Sequence, residues 1–177
     1  SSYAQAAAMA MGRAMDDVII SAALGTAFTG ETGSTSTSNA NTIAHGSAGL
    51  TIAKLRTAKQ TLDLGNVDPS IPRHIIVSPK QITDLLGTTE VTSSDFNTVK
   101  ALANGEVNSF LGFNFIVSNR LSLSSTTRSC IAFAQDGIAL AVGKDVQARI
   151  DERADKSYAT QVYYCMSIGA TRMEEAK

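Results

Sequence analysis

Apolar and polar residues alternate strictly in the last third of the chain. Val146, Ala148 and Ile150 alternate with Gln147, Arg149 and Asp151. Farther on, Val162, Tyr164, Met166 and Ile168 alternate with Gln161, Tyr163, Cys165 and Ser167. A period of two predicts strands with one apolar and one polar face. The second run is about twice the usual strand length of about 5–6 residues. A charged bend, Asp145–Lys156 with Lys144 beside it, joins the two runs. No reactive residue set interrupts them, which reads as construction material.

The opposite end has helical spacing. Over residues 3–24, Ala4, Ala8, Met11, Met15, Val18 and Ala22 recur in steps of three and four, predicting one face of a long helix that stops at Gly25. Alanine raises helix propensity and keeps that face slim enough for close approach. Arg13 and Asp17, four apart, are placed to pair on the other face. The helix is about twice the usual length of about 11–12 residues, which suits a spanning strut.

Between these ends the pattern changes repeatedly. Residues 29–49 are low in complexity and nearly free of large apolar side chains, predicting a flexible loop or linker. A helix is predicted over Thr51–Leu64, with Ile52, Leu55, Ala58 and Leu62 inward and Gly65 closing it. His74–Ser78 reads as a buried strand. Ser78, Pro79 and Gln81 form a helix-start signature for a helix ending at Gly87. A further helix runs from Ser94 to Gly105, with Phe96, Val99 and Leu102 or Ala103 inward. Strands follow at Phe113–Val117, Cys130–Ala134 and Ile138–Val142. The strand pair cannot bury its apolar face alone, and the first helix holds the nearest spare apolar surface. First and last segments are therefore expected to pack together, with an α/β lobe inserted between them.

Composition narrows the function. The 177 residues are 44% hydrophobic and 18% charged, with 15 Lys+Arg against 16 Asp+Glu and a net charge of −1. A chain that grips nucleic acid through phosphates carries a basic excess, so bulk electrostatic binding to DNA is not expected. Cys130 and Cys165 sit in strand-like runs and read as free buried thiols. No apolar run reaches the roughly 18 residues a membrane span needs.

No catalytic pattern emerges. Gly137–Asp145 is the closest string to a phosphate loop, but its spacing is wrong and Asp145 stands where a hydroxyl is needed. His45 lies in the polar loop and His74 opens a strand, neither with a nucleophile and carboxylate in triad order. The cysteines are isolated, and neither C-x-x-C nor H-x-x-x-H spacing occurs. Asp16–Asp17 and Glu174–Glu175 are adjacent pairs whose members point apart. No cofactor, metal or enzymatic activity is expected. The mixed signs of Arg149, Asp151, Glu152, Arg153, Asp155 and Lys156 suit either a solvated hairpin or contacts between copies. Alternating charge fixes register and penalises wrong partners.

In this order and extent, three stretches resemble the major capsid proteins of tailed bacteriophages with the Hong Kong 97-type fold. YAQAAAMAMGRAMDDVIISAALGTAFTG resembles that family's spine helix. SSDFNTVKALANGEVNSFLGFNFIVSNRL resembles part of its axial domain. RSCIAFAQDGIALAVGKDVQARIDERADKSYATQVYYCMSIGATRMEEAK resembles the return into its peripheral domain. The resemblance implies an α+β fold with a peripheral lobe (1–28 plus 143–177), a flexible loop (29–49) and an inserted axial α/β lobe (50–142).

It further implies a structural protein assembling in the bacterial cytoplasm into pentamers and hexamers of an icosahedral head around double-stranded DNA. The DNA would be touched only weakly and without specificity. Scaffolding, portal or decoration proteins are the other partners the family allows, and no membrane is involved. Arg13, Asp17 and the six bend charges are the candidate subunit-interface residues. The family's N-terminal arm and extended loop precede the spine helix, whereas this sequence opens at or inside it. The expectation is an assembly-deficient part of a longer protein. The alternatives are a non-viral compartment shell of the encapsulin type packaging cargo enzyme, and a small α/β enzyme.

Overall fold

The computed structural model describes residues 2–88, 94–105 and 108–177. Helix α1 (Ser2–Leu24) leads into a small hairpin, β1 (Ala27–Thr29) with β2 (Thr35–Thr37). Then come α2 (Ile52–Leu64), β3 (Arg73–Val77), α3 (Pro79–Thr88), α4 (Ser94–Ala103), β4 (Ser109–Phe110) and β5 (Phe113–Val117). A second small hairpin, β6 (Leu123–Ser124) and β7 (Thr127–Arg128), precedes β8 (Ile131–Ala134). The chain ends with β9 (Ile138–Arg153), a 3₁₀ turn at Ala154–Lys156, and β10 (Ala159–Arg172).

Side-chain caps account for the helix starts, and Thr51, expected as the first residue of its helix, is the cap of α2. The Thr51 hydroxyl accepts the Lys54 N–H at 3.3 Å, and the Gly65 N–H donates to Thr61 at the far end of α2. Gln81 reaches back from α3 to accept the Ser78 N–H at 3.1 Å, which is half of a capping box. Lys54 also donates to the carbonyls of His45, Ala48 and Gly49 at 2.6–2.9 Å, fastening the preceding loop to α2.

The central sheet has the order β4-β5-β3-β8, with β3 parallel to β5 and antiparallel to β8. Alternation along its strands feeds two cores. Ile75 and Val77 of β3, Phe113 and Phe115 of β5, and Ala134 of β8 face Leu55 and Leu62 of α2, Leu85 of α3, and Val99 and Leu102 of α4. The next residues along, Ile76 and Ile131, join Leu121 and the end of α1 through Ile20 and Ala23. Both faces of this sheet are thus partly covered, one by three helices and the other by the last turns of α1.

The structure corrects several expectations. Ile20 and Ala23 are the buried residues of α1, while Ala8, expected inward, is exposed. The other expected positions, Ala4, Met11, Met15, Val18 and Ala22, are half-buried, while Ile20 and Ala23 lie on a different side of the helix, where its end meets the central sheet. Residues 29–49, read as loop, contain β2, whose Thr-Ser-Thr sequence gives no apolar alternation to detect. In α4, Leu102 is buried and Ala103 exposed, and Phe96 lies outside the described side chains.

The largest correction concerns the end of the chain. Ile138–Val142 and Val146–Ile150 belong to one sixteen-residue strand, β9. Most of the charged bend is therefore strand, and the reversal occupies only Ala154–Tyr158.

Candidate assembly surface

β9 and β10 pair antiparallel from Ile138↔Arg172 at the base to Arg153↔Ala159 at the tip. Cross-strand partners share a face, so the register sorts the side chains. Ala148↔Tyr164 and Ile150↔Val162 lie on one face, and Gln147↔Cys165, Arg149↔Tyr163 and Asp151↔Gln161 on the other. The polar face holds a shallow groove of about 390 Å³ lined by Lys144, Gln147, Arg149, Asp151, Gln161, Tyr163 and Cys165.

Two register shifts interrupt the ladder. Between Cys165 and Ser167 the partner moves from Gln147 to Lys144, and between Ser167 and Ile168 from Lys144 to Val142. Each shift inserts one extra residue into β9, a bulge. The first brings Lys144 onto the polar face opposite Ser167; without it the ammonium would lie among the apolar side chains. The second returns Val142 to the apolar face opposite Ile168. The Asp145 carboxylate accepts the Val146 N–H at 2.7 Å within the first bulge.

α1 covers the base of the apolar face, where Tyr164, Met166, Ile168 and Ala170 are half-buried. Toward the tip and along β9 the face is open, with Val142 52%, Ile150 68% and Val162 39% exposed.

Arg172 locks the base. Its guanidinium donates to the carbonyls of Ala22 and Ala23 (both 3.2 Å) and of Gly25, to Thr37 at 3.0 Å, and to Glu175 Oε1 at 2.9 Å. A cation at the C-terminal end of α1 satisfies carbonyls that have no partner in the helix and complements the helix dipole. One side chain thus ties α1, β2, β10 and the following turn. Sequence reading missed it, although Arg172 follows Ile168 and Ala170 in the apolar alternation, where a charge is out of place.

The predicted site residues separate into paired and open ones. Asp17 does not pair with Arg13; it takes Arg120, whose Nε lies 2.8 Å from Asp17 Oδ1 in a two-pronged contact. That bond holds the Asp17 carboxyl below its ordinary range. Arg13 is exposed. Arg153 and Asp155 form a second two-pronged pair within the hairpin, and the guanidinium lowers the Asp155 carboxyl likewise. Arg149 and Asp151 lie on the polar face, Glu152 lies opposite Thr160, and Lys156 sits in the exposed turn. Those four have no ion-pair partner among the described residues.

Both histidines have structural contacts. His45 Nδ1 accepts the Ser47 N–H at 3.0 Å, and His74 lies against Phe133 with ring centroids 5.6 Å apart. Burial pushes the Cys130 thiol up to about 11. Among the described residues no three His, Cys, Asp or Glu side chains gather to hold a metal, and no helix is long and apolar enough to cross a membrane.

A family model described as phage capsid protein matches residues 1–177, the whole chain. The chain belongs to the phage capsid protein family. It is a structural capsid protein of the virion, as the resemblance to tailed-phage major capsid proteins implied. A solved structure from Mycobacterium phage Che8 has the same fold, with a TM-score of 0.68 at 20% identity. The alignment covers 98% of this chain and 60% of that one, so this capsid chain spans about three fifths of its structural relative. No curated protein matches it. The α+β fold expected from the sequence agrees with that likeness.

Proposed function

We propose that this chain is the major building block of an icosahedral phage head, arranged in pentamers and hexamers around double-stranded DNA and assembled in the host cytoplasm. The observation that carries the reading is the capsid family match over all 177 residues. It favours a phage head over a non-viral compartment or a small enzyme. The chain's near-neutral charge suits a container whose inner wall touches DNA weakly, since strong phosphate binding requires a basic excess.

In this reading residues 1–28 and 143–177 form a peripheral lobe, residues 50–142 an axial lobe, and residues 29–49 the connection between them. The packing of α1 along β10 and the Arg172 contacts to Ala22, Ala23 and Gly25 support the first grouping. Arg13, Arg149, Asp151, Glu152 and Lys156 are the charges available to neighbouring copies, while Asp17, Arg153 and Asp155 contribute through pairs they already make. Scaffolding, portal or decoration proteins would meet the assembled shell.

Electron cryomicroscopy of purified particles from the source phage tests the reading. The expected map is an icosahedral shell whose five- and six-fold units each accept this chain. A map in which the chain fits only a tail or a tail fibre overturns it.

A further inference from the structure

We propose that the tip of the β9–β10 hairpin, with Tyr158 as its anchor, seats against a second copy of this chain. The inference rests on the shell-subunit reading and names a contact surface within it. Ser157 and Tyr158 are consecutive left-handed residues, with φ of 52° and 58°. Glycine and asparagine adopt that conformation readily, whereas a bulky side chain is disfavoured there. The bond that closes the turn runs from the Tyr158 N–H to the Arg153 carbonyl at 3.0 Å, and any residue but proline could make it. Tyr158 is 71% exposed, so its side chain adds little packing within its own chain. A disfavoured residue whose ring serves neither turn nor core points to a contact outside the chain.

The surroundings favour a copy of the chain as that contact. Ile150 and Val162, cross-strand partners near the tip, leave apolar surface open on the face that α1 covers at the base. Residues 144–156 carry Lys144, Arg149, Arg153 and Lys156 against Asp145, Asp151, Glu152 and Asp155. A balanced set of that kind complements another copy of itself, whereas DNA selects a net positive surface. An exposed tyrosine at the tip of a hairpin that carries an open apolar pair three rungs back and a balanced set of charges suits a protein–protein contact.

The test exploits an opposition of signs. Tyr158→Gly relieves the left-handed backbone while deleting the anchor. Expressed within the complete phage subunit, it should unfold at the same or a higher temperature than the parent and yield at least tenfold fewer particles. Ile150→Ser, at an exposed site, should unfold like the parent and lower the yield in the same direction. A Tyr158→Gly chain that melts earlier but assembles normally overturns the inference, because the ring then acts within its own chain. Parent-level yields from both variants overturn it while leaving the shell reading intact. A parent that forms no particles removes the shell reading itself. Association of the parent that nuclease abolishes overturns the inference by making DNA the partner.

Discussion

Asp17 and Arg120 stand 103 positions apart and meet in a two-pronged ion pair, Arg120 Nε lying 2.8 Å from Asp17 Oδ1. The pair fixes the middle of α1 to the turn after β5, beside the cluster in which Ile20 meets Leu121. Its carboxyl has a folded pKa below the ordinary 3.8. The stability it contributes is fully present above that ordinary value and is lost as pH falls through it toward the lowered folded value. Asp136, held by Lys177, and Asp155, held by Arg153, act in the same direction.

Acid unfolding should therefore have a measurable Asp17 component. Urea midpoints recorded between about pH 5 and pH 2 should fall less steeply for Asp17→Asn than for the parent, because one coupled proton is removed. Parallel curves for the two proteins would show that the pair carries no linkage.

Arg172 should be costly to lose. Its side chain is 8% exposed and serves carbonyls on α1 and β2 as well as Glu175. Arg172→Ala should destabilise the chain by about 2–3 kcal/mol, the scale of losing charged hydrogen bonds at a buried site. Arg172→Lys should recover only part, since an ammonium lacks the planar fork that reaches several acceptors. Equilibrium urea unfolding measures both, and full recovery by lysine would reduce the role of Arg172 to simple charge.

Cys130 should be a poor nucleophile. Its thiol rises from 9.0 to about 11 through burial, which at neutral pH lowers the thiolate fraction about a hundredfold. In a Cys165→Ser background, maleimide labelling of the folded chain should be correspondingly slow and accelerate as pH rises toward 11. Rapid labelling at pH 7 without unfolding would contradict the burial of this side chain.

The open charges of the hairpin should matter more to assembly than to folding. Arg149→Glu should shift stability by no more than about half a kcal/mol, as surface changes usually do, yet lower particle yield in the complete phage subunit. Normal yield from this variant would remove Arg149 from the contact surface.

The elements best written in the sequence are those governed by local chemistry. The Ser78–Gln81 pair announced α3 because capping is decided within four residues, whereas Thr51, read as the first residue of its helix, is the cap of α2. The α1 helix was legible from its alanines, but not that Ile20 and Ala23 would be its buried residues. That depends on a sheet more than fifty positions away in sequence. The Asp17–Arg120 pair was hidden for the same reason. β9 was read as two pieces because Gly143, Lys144 and Asp145 resemble a turn; the ladder absorbs them as bulges. Among the candidate surface residues the charges stood out in the sequence, whereas Tyr158 did not, since only backbone angles mark it as unusual.

The two bulges of β9 behave like a reading-frame shift and its suppressor. Side chains alternate with a period of two, so one inserted residue inverts the parity of everything beyond it and a second restores it. Straightening the second bulge alone, with Gly143 kept, would pair Gly143 with Ile168 and turn Val142 and Leu140 over to the polar side at the base. Straightening both with every residue kept would leave the base in phase and carry Lys144 into the apolar face opposite Ile168. Deleting Gly143, by contrast, would close the second bulge with Lys144 still opposite Ser167 and Val142 opposite Ile168, so β9 can lose a single residue at either bulge without turning any side chain over.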